Sequence, residues 1–508
     1  MRMSKPICII VLFLSSFYSG NSQILPERYT KPVFASFTET TVTISTDVPM
    51  PQNSFSLCSF FAGLPINVDE NDTVDVDLEM DILTPDGDTI LQRPAVIIGF
   101  GGGFVQGSKD DVGMRLIADS LVRRGFVVGL IDYRLGMKVN DGDLSIRAVY
   151  RGIQDGRSAV RYFRQNASNP FLRIDPDQIY IGGHSSGAFI ALHNLYLDKE
   201  TERPNPTKDF SVFKDQLCLD CVGDNQGVSG QGNAAFSLAG ALGDLNYMES
   251  STDLPMILFH DDNDGTVSHN NAVPFGPVFD FFCGDLPVAF GSNSIQAEAT
   301  SLGIIHEYHE TNGRGHDVHI DGNDELYPDI VPKISNFFHD NLLKPSIQIE
   351  GPTVLCEGYS NGLYTGNSPA RYYDWSITGG TIVAGGNPLE EEIEVSWDPM
   401  APIHTLTCTP YSIHGAKGDP ILLSIDIVGP GTNTYLQASD QWEDIGNWDR
   451  GHIPLPCDDI ILPATVSTLQ LFISENTEVK IRSLVINPGN ELHVNQHADI
   501  EILGSGIE

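Results

Sequence analysis

The first two thirds of the chain contain two patterns of apolar and polar residues that predict strands, and a third that predicts helices. Residues 33–46 and 74–83 largely alternate at every second position and are rich in β-branched side chains, which is typical of strands with one exposed face. Residues 95–100 and 126–133 are mostly continuous apolar runs, as strands buried on both faces require. Helical spacing predicts helices over 110–123, 148–165, a segment that starts at Ala188, and 324–343.

More apolar strands are predicted between these helices, over 179–181, 235–242, 256–260 and 303–309. Strand and helix alternate on a scale that predicts a mostly parallel sheet covered by helices on both faces. Residues 195–233 show little periodicity and many Pro, Asp, Cys and Gly residues. An insertion of this kind predicts either part of a pocket wall or a plain surface loop.

The pattern of apolar and polar residues changes after about residue 345. Helical spacing ends there, and short predicted strands alternate with Gly, Asn and Pro. All four tryptophans lie in this part of the chain: Trp375, Trp397, Trp442 and Trp448. The strand spacing predicts a β-sandwich over 347–428 and, after a linker, a small solenoid or sandwich over 436–508. The predicted domains are therefore an α/β domain over 23–345 and two all-β modules over 346–430 and 431–508.

The first 22 residues have the pattern of a secretory signal peptide. Arg2 and Lys5 precede the short apolar run 7–14, and the small residues of 20–22 precede Gln23. The apolar run is too short to cross a bilayer, and no later stretch approaches ~20 apolar residues. We therefore expect a secreted or cell-surface protein without a permanent membrane span.

Charge restricts the kinds of partner. The 508 residues include 67 acidic and 29 basic ones, a formal net charge of −38. Nucleic acids and anionic membranes attract positive surfaces, so this composition argues against both.

Seven cysteines remain once the signal is removed: Cys58, Cys218, Cys221, Cys283, Cys356, Cys408 and Cys457. An exported protein can form disulfides. The four in the first domain allow two bridges in three connectivities. The C-x-x-C pair Cys218 and Cys221 is interpreted as structural, ahead of a redox role, because nothing nearby completes a zinc site. Cys356 and Cys408 are predicted to pair across the β-sandwich, which leaves Cys457 over.

Residues 178–187 carry the main chemical signal, because Gly183-His184-Ser185-Ser186-Gly187 fits G-x-S-x-G. A short apolar strand precedes this motif and a helical pattern follows it, which is the context of a nucleophile elbow. The sharp turn predicts strained backbone angles at Ser185 and close chain passage at the two glycines. Without that context the motif would predict only an ordinary β–α turn.

A serine nucleophile needs a histidine base, and the base needs a carboxylate to orient it. In this arrangement the acid and then the histidine follow later strands. Asp264 follows the strand 256–260, and His316 follows the next strand. Asp261 and Asp262 compete for the role of the acid, and His319 competes for that of the base. Taken alone, Asp264 would predict a turn residue or a calcium ligand, and His316 an exposed loop histidine.

Acyl transfer also needs hydrogen-bond donors for the developing oxyanion. Gly101-Gly102-Gly103 follows an earlier central strand, where bare backbone amides can approach a carbonyl. The Ser186 amide would add a further donor. A phosphate-binding loop is the alternative, but the Walker Lys-Ser/Thr and Gly-x-Gly-x-x-Gly are both absent.

Residues of about 30–345 resemble an α/β-hydrolase of the carboxylesterase type, close to secreted feruloyl/acetylxylan-esterase-like enzymes. The matching pieces are Gly101–Lys109, Asp132–Leu135, Gly183–Ala188, His260–Asp264 and Gly313–His316. The chain departs from the family in having Phe100 where a histidine usually precedes the glycines. The resemblance implies an α/β-hydrolase fold, a Ser185–Asp264–His316 triad and an oxyanion hole formed by Gly102, Gly103 and Ser186.

The C-terminal third carries two further resemblances. Residues 347–428 resemble a PKD-like Ig module through the segment 373–382, and residues 442–463 are similar to β-rich modules of secreted Bacteroidetes proteins. These modules would offer glycan contact if their tryptophans were exposed, although a tryptophan in such modules is more often part of the core.

The sequence therefore predicts a secreted serine carboxylic-ester hydrolase, acting on small or polysaccharide-linked esters such as acyl groups of plant or algal polysaccharide. Neither a metal nor a cofactor is expected to take part. A serine peptidase with the same triad is the first alternative. A mainly adhesive or glycan-binding surface protein is the second, favoured by the β-modules and the acidic surface.

Overall fold

The structure is a computed structural model that describes residues 24–54, 67–208, 218–276, 285–367, 370–465 and 468–504. The predicted signal peptide, Cys58 and Cys283 lie outside the described residues. The chain divides into two compact units, Met1–Phe337 and Phe338–Glu508. The domain boundaries predicted at residues 345 and 430 stay predictions.

The first unit holds a large sheet and most of the helices. Its strands are β1 (Phe37–Ser54), β2 (Asn67–Pro85), β3 (Arg93–Gly99), β4 (Val127–Ile131), β5 (Ile174–His184), β6 (Ala234–Leu238), β7 (Ala241–Leu242), β8 (Met256–Asp261), β9 (Asn271–Ala272), β10 (Ala289–Gly291) and β11 (His306–Thr311). Its helices are α1 (Val112–Val122), α2 (Gly142–Gln165), α3 (Ser186–Tyr196), α4 (Ser292–Leu302) and α5 (Ile330–Phe338), the last ending one residue into the second unit.

Eight strands form the main sheet in the order β1-β2-β4-β3-β5-β6-β8-β11. β1, β2 and β4 pair antiparallel, and every pair from β4 to β11 is parallel. The central strands β3, β4, β6 and β8 are buried along their whole length, which explains why their sequences are mostly apolar. This topology confirms the predicted α/β-hydrolase fold.

Two predicted helices begin elsewhere than expected. α2 begins six residues before Ala148, because the Asp141 side chain accepts a hydrogen bond from the Leu144 amide and caps the helix. α5 begins only at Ile330 rather than at Asp324, because Pro328 disfavours helical backbone in the residue before it. The predicted strand over 235–242 is in fact two strands, β6 and β7.

α2 is held on both sides by ion pairs in which the arginines are buried. Arg147 and Arg151 reach Glu70 of β2 at 3.1 and 2.8 Å. Arg157 and Arg161 both reach Asp220, which lies between the disulfide-bonded Cys218 and Cys221. The described part of the predicted insertion is therefore bound to α2 rather than lying as a plain surface loop.

The second unit is built of strands. The first group is β12 (Ile349–Glu350), β13 (Val354–Cys356), β14 (Asn361–Gly366), β15 (Tyr372–Thr378), β16 (Gly380–Gly385), β17 (Glu392–Trp397), β18 (Thr405–Tyr411), β19 (Ile421–Ser424) and β20 (Asp426–Val428). The second group is β21 (Gly431–Thr434), β22 (Asp458–Leu462), β23 (Leu469–Ile473), β24 (Glu478–Ile481), β25 (Ser483–Ile486), β26 (Asn490–Val494) and β27 (Asp499–Ile502).

The two groups pair differently. β12-β14-β17-β16 and β15-β18-β19 are antiparallel sheets, whose core contains Trp397 and fits a β-sandwich. From β21 onwards every pairing between strands is parallel, which fits the solenoid alternative rather than a second sandwich. Trp442 and Trp448 lie in the core of this second group. Three of the four tryptophans are thus core residues, unavailable to a glycan, and Trp375 is half-buried.

The predicted Cys356–Cys408 bridge is wrong. Cys356 pairs with Cys457 across 101 residues, while Cys408 is a buried free thiol. Cys408 lies at the middle of β18 and its side chain packs beside Ile347 and Tyr373, so it takes the place of an apolar core residue. Among the described residues, no helix is both long and apolar enough to cross a membrane.

Replacing Asp220 with Asn should lower the free energy of unfolding of the first unit by roughly 1–3 kcal/mol, because two buried guanidinium groups would lose their anionic partner. Urea unfolding of the full chain, followed by far-UV circular dichroism, measures this effect because the α-helices lie in the first unit. The matched control is Asp224→Asn, whose exposed carboxylate binds only Thr46 among the described residues and should change the value by less than about 0.5 kcal/mol. Equal effects of the two exchanges would contradict the role given to Asp220.

Candidate active site

Ser185 sits in the turn between β5 and α3, with φ 50° and ψ −117°. A positive φ is costly for a residue with a Cβ, and it persists only where the surroundings enforce it. The Ser185 amide donates to the Leu238 carbonyl of β6 at 2.9 Å, and its carbonyl accepts from the Phe189 amide. The strain predicted at the elbow is therefore present, and hydrogen bonds on both sides of the turn hold it.

Two glycines of the motif lie against the end of β3. A Cβ on Gly183 would lie 2.3 Å from the Gly99 carbonyl oxygen, and one on Gly187 would lie 2.2 Å from the same atom. Any side chain at either position would push α3 away from the sheet. This contact explains the glycine spacing in physical terms, because it is what brings the turn to the sheet end.

The structure brings together the three predicted catalytic residues. His316 Nε2 lies 2.8 Å from Ser185 Oγ, and His316 Nδ1 lies 2.8 Å from Asp264 Oδ2. The carboxylate is buried and both other side chains are largely buried. A base can take the serine proton through this chain of hydrogen bonds, while the carboxylate fixes the imidazole tautomer.

Asp264 is held by more than His316. Its Oδ1 accepts from the Thr266 and Val267 amides at 2.8 and 3.0 Å, and its Oδ2 lies 3.2 Å from His260 Nε2. Burial alone would raise the pKa of this carboxyl, but the hydrogen bonds from His260, His316 and Val267 outweigh it and hold the pKa of Asp264 well below its usual range. The carboxyl of Asp264 is therefore ionised near pH 7.

Sequence reasoning missed His260 as part of the site. The residue is the last one of the predicted strand 256–260, so the pattern predicts only a strand residue there. A polar histidine at the end of an apolar strand could nevertheless have indicated a functional role. Its Nδ1 lies 2.9 Å from Ser292 Oγ and its Nε2 lies 2.8 Å from the Val267 carbonyl. A hydrogen on Nε2 therefore faces both that carbonyl and the Asp264 carboxylate, which fixes the acid-bearing turn.

The other candidates for the acid and the base lie beside the triad and make other contacts. Asp261 Oδ2 accepts from Thr311 Oγ1 and from the Arg314 amide, at 2.9 and 2.7 Å, at the base of the loop that carries His316. Asp262 binds the Asn312 side chain in an exposed position. His319 is buried against the ring of His184, with 4.5 Å between ring centres.

His184, the variable residue of the motif, supports the same loop. Its Nε2 donates to the His316 carbonyl at 3.0 Å. Burial, and next the proximity of His316, lower the pKa of His184 to about 4. The ring is consequently neutral near pH 7 and adds no positive charge beside the base.

The three predicted oxyanion donors border the cavities that contain Ser185. No described residue accepts a hydrogen bond from the amides of Gly102 or Gly103. Ser186 is the first residue of α3, where an amide has no acceptor within the helix. These amides are thus placed where backbone donors could receive a developing negative charge.

Phe100 occupies the position where the resemblance predicts a histidine, and it supports the glycine loop through other contacts. Its ring stacks on Tyr133 with 4.2 Å between centres, and its carbonyl accepts from Tyr133 Oη at 2.9 Å and from the Gly187 amide at 3.0 Å. Tyr133 Oη also lies 2.8 Å from Ser186 Oγ. The glycine loop is thereby tied to the elbow by an aromatic stack and a buried hydroxyl pair.

The residues on either side of Tyr133 extend this support. Asp132 accepts from the Lys109 amide at the far end of the glycine loop, at 2.9 Å. Arg134 forms a fully buried ion pair with Asp155 of α2 at 3.0 Å. The Asp-Tyr-Arg segment therefore joins the glycine loop, the elbow and α2.

Two cavities meet at Ser185. One, of about 480 Å³, runs along α2 and has mainly apolar walls that include Phe104, Ile153 and Phe189. The other, of about 730 Å³, is bordered by the three loop glycines and includes His184 and His316. A substrate could therefore extend from the nucleophile in two directions.

Comparisons with known proteins found a family model and esterases that are similar to parts of this chain. Residues 80–233 match the family model BD-FAE. A stretch of 97 residues is 34% identical to "Gut esterase 1" of Caenorhabditis briggsae and covers 19% of this chain, but the match spans only 17% of that protein. The matched family region contains the glycine loop and Ser185, whereas Asp264 and His316 lie beyond it.

The fold also resembles solved structures of a thermophilic esterase of Thermogutta terrifontis. Its native form is 21% identical with a TM-score of 0.36, and the match covers 52% of this chain and 88% of that chain. The butyrate-bound form is 21% identical with a TM-score of 0.38, over 53% and 92% of the two chains.

Proposed function

We propose that this chain is a secreted serine carboxylic-ester hydrolase that works through an acyl-enzyme. The observation that carries the proposal is the continuous hydrogen-bonded chain from Ser185 through His316 to Asp264, on a strained elbow where two cavities meet. The match of residues 80–233 to BD-FAE and the partial identity to an esterase support the same class of reaction.

In the first half-reaction Ser185 Oγ attacks the ester carbonyl while His316 Nε2 takes the serine proton. The carbonyl oxygen becomes an oxyanion, which the amides of Gly102, Gly103 and Ser186 stabilise. His316 then gives the proton to the leaving alcohol oxygen, and the acyl group stays on Ser185. Asp264 keeps its charge throughout and stabilises the imidazolium.

Water completes the reaction. His316 removes a proton from a water molecule, whose oxygen attacks the acyl-enzyme carbonyl through a second oxyanion. The proton then returns to Ser185 Oγ as the acid leaves. Each step uses side chains of this protein, backbone amides and water.

The substrate class rests on the family resemblance and on the cavity beside His316, which is roomy and bordered by polar groups. This cavity suits the sugar that carries the acyl group, as in plant or algal polysaccharide. The signal-like pattern of residues 1–22 and the disulfides support export. Contact of the C-terminal β-strands with glycan is an additional role that Trp375 alone among the tryptophans could serve.

Replacing Ser185 with Ala should lower kcat for a short-chain aryl ester by at least about 10⁴-fold and leave the fold intact, because the nucleophile is lost. Release of the phenol measures the rate. Ser301→Ala, an exposed serine of α4, is the matched control and should retain full rate. Full activity in the Ser185 variant would contradict the assignment of Ser185 as the nucleophile. A wild-type preference for peptide amides would favour the peptidase, and polysaccharide binding without ester hydrolysis would favour the adhesive protein.

The second prediction ranks the three acids. Asp264→Asn should lower kcat by about 10⁴-fold, because the imidazole loses the group that sets its tautomer. Asp261→Asn should be far milder, since that side chain holds the His316 loop rather than the imidazole, and Asp262→Asn should be milder still. Initial rates at saturating ester measure the order. A crippled Asp261 variant beside an active Asp264 variant would reverse the assignment.

The third prediction concerns the support of the glycine loop. Tyr133→Phe should lower kcat about tenfold with little change in KM, because the oxyanion amides would lose part of their alignment without losing a donor. Tyr180→Phe is the matched control, since its hydroxyl binds Gln178 on the sheet away from the elbow and its loss should leave kcat unchanged. Equal kcat values for the wild type and the Tyr133 variant would show that the hydroxyl does not position the loop.

A further inference from the structure

The two cavities that meet at Ser185 differ in whether His316 borders them, and this difference indicates which part of the ester each cavity binds. His316 borders the larger cavity, whereas it does not border the smaller one along α2. In the proposed reaction His316 must reach the leaving oxygen to protonate it. The alcohol therefore has to lie on the His316 side of the scissile bond, and the acyl chain has to lie on the opposite side.

From this geometry, and resting on the proposed function, we infer that the cavity along α2 is the acyl site and that the enzyme prefers bulky apolar acyl groups over acetyl. The alcohol occupies the cavity beside His316. The side chains that set the preference are those of α2 that face the acyl cavity.

The wall formed by α2 is a single apolar stripe. Ile146, Val149, Tyr150 and Ile153 border the cavity and recur at the spacing of one helix face. Ile146 and Val149 are half-buried, and Val149 also packs against the buried cluster of Tyr150, Ile153, Leu197 and Leu219. Both side chains border the cavity, so a larger side chain at either position can project into it.

Other apolar side chains border the same cavity, which is also bordered by the charged residues Glu202, Arg203, Lys208 and Asp244. The apolar ones include Phe104, which follows the glycine loop, and Phe189 of α3, one turn after Ser185. A volume of about 480 Å³ lies within the range of ~300–1,000 Å³ that drug-sized ligands fill, so a two-carbon acetyl group would leave most of it empty. Each methylene of a longer acyl chain buried there should add up to about 0.8 kcal/mol of binding.

The cavity beside His316 is the more polar of the two, although apolar atoms still form more than half of its lining. Gln106 and Asp317 are exposed at its border, and neither residue borders the acyl cavity. These groups can bind the hydroxyls of a polar alcohol, and they would gain nothing from an alkyl chain. The two sides of Ser185 thus distinguish an apolar acid from a polar alcohol.

The test compares rates within one set of esters. kcat/KM is measured for acetyl and octanoyl esters of one alcohol, and for glucose and ethyl esters of one acid. The wild type should favour octanoyl over acetyl and glucose over ethyl. Val149→Trp should lower the octanoyl-to-acetyl ratio at least about tenfold, because the indole fills the acyl cavity. Val149→Ala, which keeps the cavity open, should preserve that ratio.

Two further tryptophan variants complete the set. Gln106→Trp should change the glucose-to-ethyl ratio and preserve the octanoyl-to-acetyl ratio. Val112→Trp, at an exposed position of α1 that borders neither cavity, should preserve both ratios and controls for the substitution itself.

The inference is overturned if the wild type favours acetyl, if Val149→Trp lowers both acyl rates equally, or if that exchange alters the alcohol ratio instead. A wild type that hydrolyses none of the esters would contradict the proposed function itself, which is a different result. Circular dichroism of each variant shows whether a lost rate reflects an unfolded protein.

Discussion

The close contact between the end of β3 and the turn after β5 is the constraint on which the site depends. Gly183 and Gly187 both lie against the Gly99 carbonyl at distances that exclude a Cβ. Because the turn is pressed there, Ser185 adopts a positive φ that its own side chain disfavours. That conformation leaves its hydroxyl beside His316 and places the first amides of α3 next to it. A fold that relaxed this contact would lose the geometry of the proposed nucleophile and a proposed oxyanion donor together.

The buried charge of Asp264 imposes a second constraint, since an ionised carboxylate needs partners for both oxygens inside the protein. Two backbone amides and two histidines supply them. Those partners belong to β8, to the turn after it and to the loop after β11, so the charge fixes the relative position of the strand end and two loops. Asp261, at the end of β8, also connects the two segments, because its carboxylate accepts hydrogen bonds from Thr311 and Arg314. The precision of the His316–Ser185 distance therefore derives from carboxylates that bind backbone as well as side chains.

Much of the fold and of the candidate site could be predicted because the signals are local. A strand, a glycine-flanked serine and a helix follow one another within twenty residues, and parallel strands bring their carboxyl ends to one edge. Contacts that join distant segments gave no such signal. The Cys356–Cys457 bridge spans 101 residues, and composition alone cannot rank it above a pairing with Cys408. The contact of His260 with Asp264 could not be predicted for another reason. The sequence places His260 at the end of a strand, but it does not show which way the imidazole ring points.

α2 shows how stability and selectivity can share one element. Arginines on part of its surface bind Glu70 and Asp220, and these ion pairs are buried enough to be costly to break. Its apolar stripe faces the cavity that leads from Ser185. A cavity wall discriminates between acyl groups only if it resists displacement by a larger group. The arginines supply that resistance, because moving the stripe outward would require separating buried charges on the same helix.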